Sequence, residues 1–112
     1  MSTVDLLDEV SRSLARWRIT SPKQSKAFAD LFMSVEMPGA LDKKTKELIA
    51  IALSVQSHCE WCIAYHVKSA IDCGAKPEEI REACWVAVLM GGSPSLMYMQ
   101  LVEKALDDLT KK

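Results

Sequence analysis

Apolar residues recur along this chain at three- and four-residue spacing, and Pro, Gly and small polar residues cut the pattern into six stretches. Val4, Leu7, Val10 and Leu14 predict a first helix over roughly Val4 to Trp17. Ser21-Pro22 reads as an N-cap followed by proline at the first helical position. The second helix then carries Ala27, Leu31 and Val35 on one face and ends before Met37-Pro38-Gly39. Asp42 is a good N-cap for a third helix running to about Ser57, with Leu48, Ile51, Ala52 and Val55 as its buried stripe. A short break around His58 leads into a fourth helix, from about Cys59 to Cys73, closed by Gly74 at the C′ position. Pro77-Glu78-Glu79 opens the fifth, with the proline and the acids where the helix dipole favours them. It carries Ile80, Cys84, Ala87 and Val88 and stops at Gly91-Gly92. Ser93-Pro94 opens the last, which runs to about Leu109. No stretch alternates with the two-residue period of a strand. The expected class is all-α, a compact single domain of about six helices over residues 1–112.

Composition narrows the setting. At 49% apolar and 26% charged, the 112 residues cannot be a disordered chain. A chain this short buries only about 65% of its unfolded surface, so its core is thin. Trp85, Met90, Leu96, Met97, Tyr98 and Met99 crowd around Gly91-Gly92 and Ser93-Pro94, more bulk than one face of a thin core can bury. The last two helices are therefore expected to take part in a subunit interface. Fourteen basic and fifteen acidic residues leave a net charge of −1, with no basic stripe to neutralise a phosphate backbone, so nucleic acid is excluded as a partner. The start, Met1-Ser2-Thr3-Val4-Asp5, lacks the charge and apolar stretch of a secretory signal, and no run approaches the roughly 20 apolar residues of a membrane helix. The expected compartment is the cytoplasm, without membrane association.

In that compartment the four cysteines, at 59, 62, 73 and 84, do not read as a structural disulfide framework. Cys73 and Cys84 read as small core residues. Cys59 and Cys62 are three apart at the start of the fourth helix, on one face, with Cα atoms about 5 Å apart, a distance that a disulfide tolerates. Free N–H groups and the positive end of the dipole favour a thiolate there, and such thiols have pKa values lowered to roughly 3.5–7.5. His66 lies one turn below Cys62 on the same face, placed to take a proton from a thiol or return one to a leaving group. His58, at the break, reads as a cap or a solvent-facing group, and Trp61 and Tyr65 as packing or interface residues.

Glu47 extends this site to the third helix. The short break makes helices three and four antiparallel neighbours, and counting 1.5 Å per residue leaves an axial gap of about 6 Å between Glu47 and His66. Two long side chains and one water span such a gap. The competing reading of Glu47 is a surface carboxylate among Lys43, Lys44 and Lys46.

Glu47, eleven intervening residues, then Cys59-x-x-Cys62-x-x-x-His66 resembles the signature of the carboxymuconolactone decarboxylase-like superfamily, and within it the alkyl hydroperoxidase D-like (AhpD-like) branch. Lys46-Glu47-Leu48-Ile49-Ala50 and Gly74-Ala75-Lys76-Pro77-Glu78-Glu79-Ile80 are similar to its flanking text, and the resemblance covers roughly Ala27 to Leu106, leaving residues 1–26 as an N-terminal helical extension. It implies an all-helical fold assembled as a homotrimer or homohexamer. It implies an antioxidant oxidoreductase: a peroxidase or disulfide reductase with a redox-active centre that forms a disulfide bond. Cys62 would be the attacking thiolate, Cys59 the resolving partner, and Glu47 and His66 parts of a proton relay. The partners implied are a hydroperoxide and a dithiol or protein reductant. No cofactor and no metal is needed. One position departs from the best-characterised branch: the residue just before the second cysteine, a histidine there, is Trp61 here. The decarboxylase branch lacks the cysteine pair, so lactone decarboxylation is not expected.

Two other readings compete. Cys59, Cys62 and His66 could ligate zinc with His58 or Glu47 as a fourth group, although three ligands within two turns of one helix, with no second CxxC, make a poor tetrahedral site. The chain could also be a non-catalytic oligomer of the same fold, whose thiols would keep the free value of about 8.5.

Overall fold

The computed structural model describes residues 1–110, which form six α-helices and no strand. These are α1 (Thr3–Thr20), α2 (Pro22–Glu36), α3 (Lys43–Gln56), α4 (Glu60–Asp72), α5 (Pro77–Gly91) and α6 (Ser93–Thr110). None of them is long and apolar enough to cross a membrane.

Local chemistry sets the helix ends. Ser2 and Asp5 cap α1 reciprocally, each backbone N–H donating to the other's side chain at 3.1 Å. Asp42 Oδ1 accepts from Thr45 N–H at 2.8 Å and starts α3. α3 ends in a Schellman motif: His58 N–H donates to the Val55 carbonyl, Cys59 N–H to the Ser54 carbonyl, and His58 takes a left-handed φ of 56°. The same motif ends α4, with Gly74 at φ 88° where a side chain would be strained.

The body of the molecule is α3, α4, α5 and α6. α3 packs on α4 and α5, and α6 packs on α4 and α5. Their buried faces meet in one cluster: Ile51 and Val55 from α3, Ile63 and Val67 from α4, Ile80 and Cys84 from α5, Val102 and Leu106 from α6. Burying each of the larger aliphatics contributes roughly 1.5–3 kcal/mol, enough to fix the α3–α4 hairpin that carries the site.

The expected stripes hold for α3 and α5, where Leu48, Ala52 and Val88 are partly rather than fully buried. α1 and α2 need correction. α1 continues past Trp17 because nothing bars the helix before Pro22, and its buried residues are Thr3 and Leu6. Val4 and Leu14 are exposed, because α1 lies on α4 and α6 with a face rotated from the expected one. On α2 the face Ala27, Leu31, Val35 is exposed, and the helix has no buried residue. The radius of gyration is 14.3 Å, against about 13 Å for a compact chain of this length. Of the expected interface residues, Met99 is buried in the core, and Leu96 and Tyr98 pack against it, while Trp85, Met90 and Met97 are exposed.

Candidate active site

The site forms where α4 begins. Cys59 is the N-cap of α4, with extended backbone, and its sulfur accepts from the Cys62 N–H at 3.2 Å. Cys59 and Cys62 are bonded to each other, with Cα atoms 5.3 Å apart. Both are partly exposed, so solvent and small molecules reach the bridge.

One turn further along α4, His66 turns away from solvent and meets Glu47. Its Nδ1 lies 2.7 Å from Glu47 Oε1. The expected water between them is not needed, because the helices are packed closely enough for direct contact. Nor is Glu47 a surface carboxylate: it is 0% exposed. Lys43, one turn before it on α3, donates to its other oxygen at 2.9 Å and to Glu36 Oε2 at 2.9 Å. Nδ1 is thus the ring nitrogen engaged by Glu47.

Burial pushes the Glu47 carboxyl up, but hydrogen bonds with Glu36, His66 and Lys43 outweigh it and hold the group down to about 2. Glu36 moves the other way, raised chiefly by its hydrogen bond with Glu47 and by burial. Lys43 stays charged, raised by both carboxylates. Tyr65 lies edge-on to His66 at 5.2 Å and to Phe32 of α2 at 5.9 Å, so α2 reaches the site through a ring as well as through Glu36.

The remaining candidates fall outside this constellation. His58 stacks on Tyr98, ring centroids 4.4 Å apart and 7° from parallel. Trp61 donates its indole N–H to Glu9 Oε1 on α1 at 2.8 Å. Cys73 is the C-cap of α4, and Cys84 is buried in the core, its thiol pushed up to about 12 by burial and by Glu103.

The zinc ligands considered above do not converge: the thiols are bonded to each other, His66 faces Glu47 and His58 faces Tyr98. Glu36, Glu47 and His66 do place one donor atom each within 4.8 Å of one another. The cation among them is already the Lys43 ammonium, which bridges the two carboxylates.

Glu36 and Lys43 were missed in the sequence. Lys43 had a signal, its i,i+4 spacing to Glu47. Glu36 had only its place at the end of an apolar helix.

The chain belongs to the carboxymuconolactone decarboxylase family, which its residues 22–103 match. A protein of Paracoccus denitrificans named "uncharacterized protein 4 in cox locus" is 42% identical over 83 residues, 74% of this chain and 75% of its own. The crystal structure of the apo form of a carboxymuconolactone decarboxylase family protein from Legionella pneumophila superposes with a TM-score of 0.94 at 38% identity, covering 97% of each chain. A family protein from Thermotoga maritima with a suggested involvement in antioxidative response gives a TM-score of 0.85 at 33% identity, over 94% of this chain and 90% of that one.

Proposed function

We propose that this protein is a thiol-dependent peroxidase, with disulfide reduction as the same chemistry run on a different oxidant. The observation that carries the reading is the partly exposed Cys59–Cys62 bridge at the start of α4, followed one turn on by a histidine held by the buried Glu47. A bridge across two intervening residues constrains the unfolded chain by only about 2 kcal/mol, so its value lies in opening and closing. The suggested antioxidative involvement of the Thermotoga maritima protein agrees with this.

In the reaction, Cys62 loses its proton to His66 and the thiolate attacks a peroxide oxygen. The O–O bond breaks, sulfur is oxidised by two electrons to a sulfenic acid, and the departing alkoxide takes a proton back to become an alcohol. Cys59 then attacks the sulfenic sulfur, water leaves and the disulfide forms. The Cys62 N–H directed at Cys59 sulfur favours this second thiolate. A cellular dithiol reduces the bridge, which fits a reducing cytoplasm. Glu47 fixes the orientation of the His66 ring.

The test is consumption of cumene hydroperoxide by the purified protein with a dithiol reductant. Activity is expected, with Cys62→Ser inactive and Cys59→Ser halted at a sulfenic acid after one equivalent. Cys62→Ser as active as wild type would overturn the reading, as would a Cys62 thiol titrating near the free value of about 8.5.

A further inference from the structure

α2 has no buried residue, yet its last side chain is drawn into the site: Glu36 is 14% exposed at its side chain. Two separate contacts hold it there. Lys46 Nζ donates to the Val35 and Met37 carbonyls at 2.8 and 2.7 Å, capping the end of α2, and Lys43 Nζ donates to Glu36 Oε2 at 2.9 Å. The same ammonium holds Glu47, and Glu47 holds His66. An unbroken series of polar contacts therefore runs from His66 on α4, through Glu47 and Lys43 on α3, to Glu36 on α2.

Glu47 at 0% exposed has no contact with water. The groups on either side of it do reach solvent, the His66 side chain at 17% and the Glu36 side chain at 14% exposed. A histidine beside Cys62 would add a further proton-transferring group, but that position is Trp61. Glu36 is the partly exposed carboxyl on the Glu47 side of the chain of contacts. The charged and titratable groups facing it are Lys43 and Glu47 of α3, with Lys46 at the end of its own helix and His66 and Tyr65 of α4 behind Glu47.

We propose that Glu36 is the water-side proton exchanger of this site, acting through Glu47 to pass protons between His66 and solvent. It does not touch the thiols, so it is a positioning residue that also carries the exchanged proton. The inference rests on the thiol reading above, but not on a peroxide being the oxidant. One proton leaves the thiol and one returns to the leaving group, so Glu36 ends each cycle as it began. Its hydrogen bond with Glu47 and its burial raise its carboxyl above the usual range.

The experiment follows the reaction of the fully reduced protein with 4,4′-dithiodipyridine and, separately, with cumene hydroperoxide, across pH. Wild type is expected to show two ionisations on its acid limb, and Glu36→Gln only one, with the rate near neutrality reduced about 10-fold. Glu36→Ala is expected to lose a similar factor and to regain it as formate is added. A single ionisation in wild type, an unchanged profile in Glu36→Gln, or a slow Glu36→Ala that formate does not restore would overturn the proposal. Should Glu36→Ala fail to fold, the Glu36→Gln profile decides alone. Altered variant profiles with the aromatic disulfide, alongside a wild type inert to hydroperoxide, would remove the peroxidase reading and leave the role of Glu36 standing.

Discussion

Trp61 is tied to Glu9 by an indole N–H bond of 2.8 Å, so the residue just before Cys62 is anchored on α1. The N-terminal helix thus steadies the turn in which the thiols sit. The ring is 46% exposed, which limits the bond to about 1 kcal/mol. Trp61→Phe is therefore expected to lower the urea midpoint only slightly, with Glu9→Gln doing no more. Trp61→His is different in kind, because it puts an imidazole beside Cys62. Its expected effect is a faster reaction of the reduced pair below about pH 7, by up to 10-fold, with Trp61→Phe unchanged. Equal rates for the two variants would show that the position has no part in proton transfer.

The Glu36–Glu47 pair gives stability an unusual dependence on pH. Glu47 is held to about 2 against an ordinary 4.5, so its contribution is present above about 4.5 and is lost as pH falls toward 2. Glu36 is raised, so its contribution is present below about 4.5 and is lost as pH rises through its folded value. The two together place a local maximum near pH 4.5. Asp5 and Asp42, both exposed, and Glu79, partly exposed, are all lowered, and they add to the acid slope but not to the decline above it. Urea unfolding from pH 2 to 8 checks this: Glu36→Gln should abolish the decline above about 4.5, and Glu47→Gln should flatten the acid side. A wild-type curve that only rises through this range contradicts the opposite shifts of the two carboxyls.

What the sequence made legible depended on range. The caps at Asp42 and Gly74, the proline starts at Pro22 and Pro77 and the buried stripes of α3 and α5 are local, and the structure keeps them. The Cys59–Cys62–His66 face also follows from helical spacing alone. Glu47 was reachable because one short turn fixes α3 against α4, although the 2.7 Å contact was closer than axial counting allowed. Glu36 and Glu9 were not reachable, because the paths of α2 and α1 depend on tertiary packing. The α1 stripe failed for the same reason: a helix touching the body along half its length buries Thr3 and Leu6 and leaves Leu14 out.

Gly91 marks a crossing that tolerates no side chain. A Cβ there would meet Ser95 Oγ and Gln56 Oε1, which are hydrogen-bonded to each other at 3.2 Å. Ser95 is 1% exposed and cannot swing out, so the strain falls on the α5–α6 junction. Gly91→Ala is expected to cost about 1–3 kcal/mol in chemical denaturation. Adding Gln56→Ala should restore part of that loss, since it removes one of the two clashing atoms. A Gly91→Ala variant as stable as wild type would mean that the junction repacks freely.

The apolar surface left open by the fold points to self-association. On α5, Trp85, Val86, Leu89 and Met90 are 53%, 58%, 80% and 78% exposed, and they fall on one side of the helix. Phe28, Leu31 and Val35 are as open on α2, and Leu53 on α3. We expect these open side chains to be covered in a contact between subunits. Light scattering at micromolar concentration is expected to give a homotrimer or homohexamer, and Leu89→Glu to dissociate it by forcing a charge into the contact. A wild-type monomer would contradict the assembly. Dissociation should also be felt at the thiols. α2 makes few contacts with its own body, so a neighbour pressing on Phe28 and Leu31 would hold Glu36 against Lys43. The Leu89→Glu monomer is accordingly expected to react more slowly with an aromatic disulfide while keeping its helical circular dichroism. An undiminished rate would show that Lys43 and Lys46 hold the end of α2 without help.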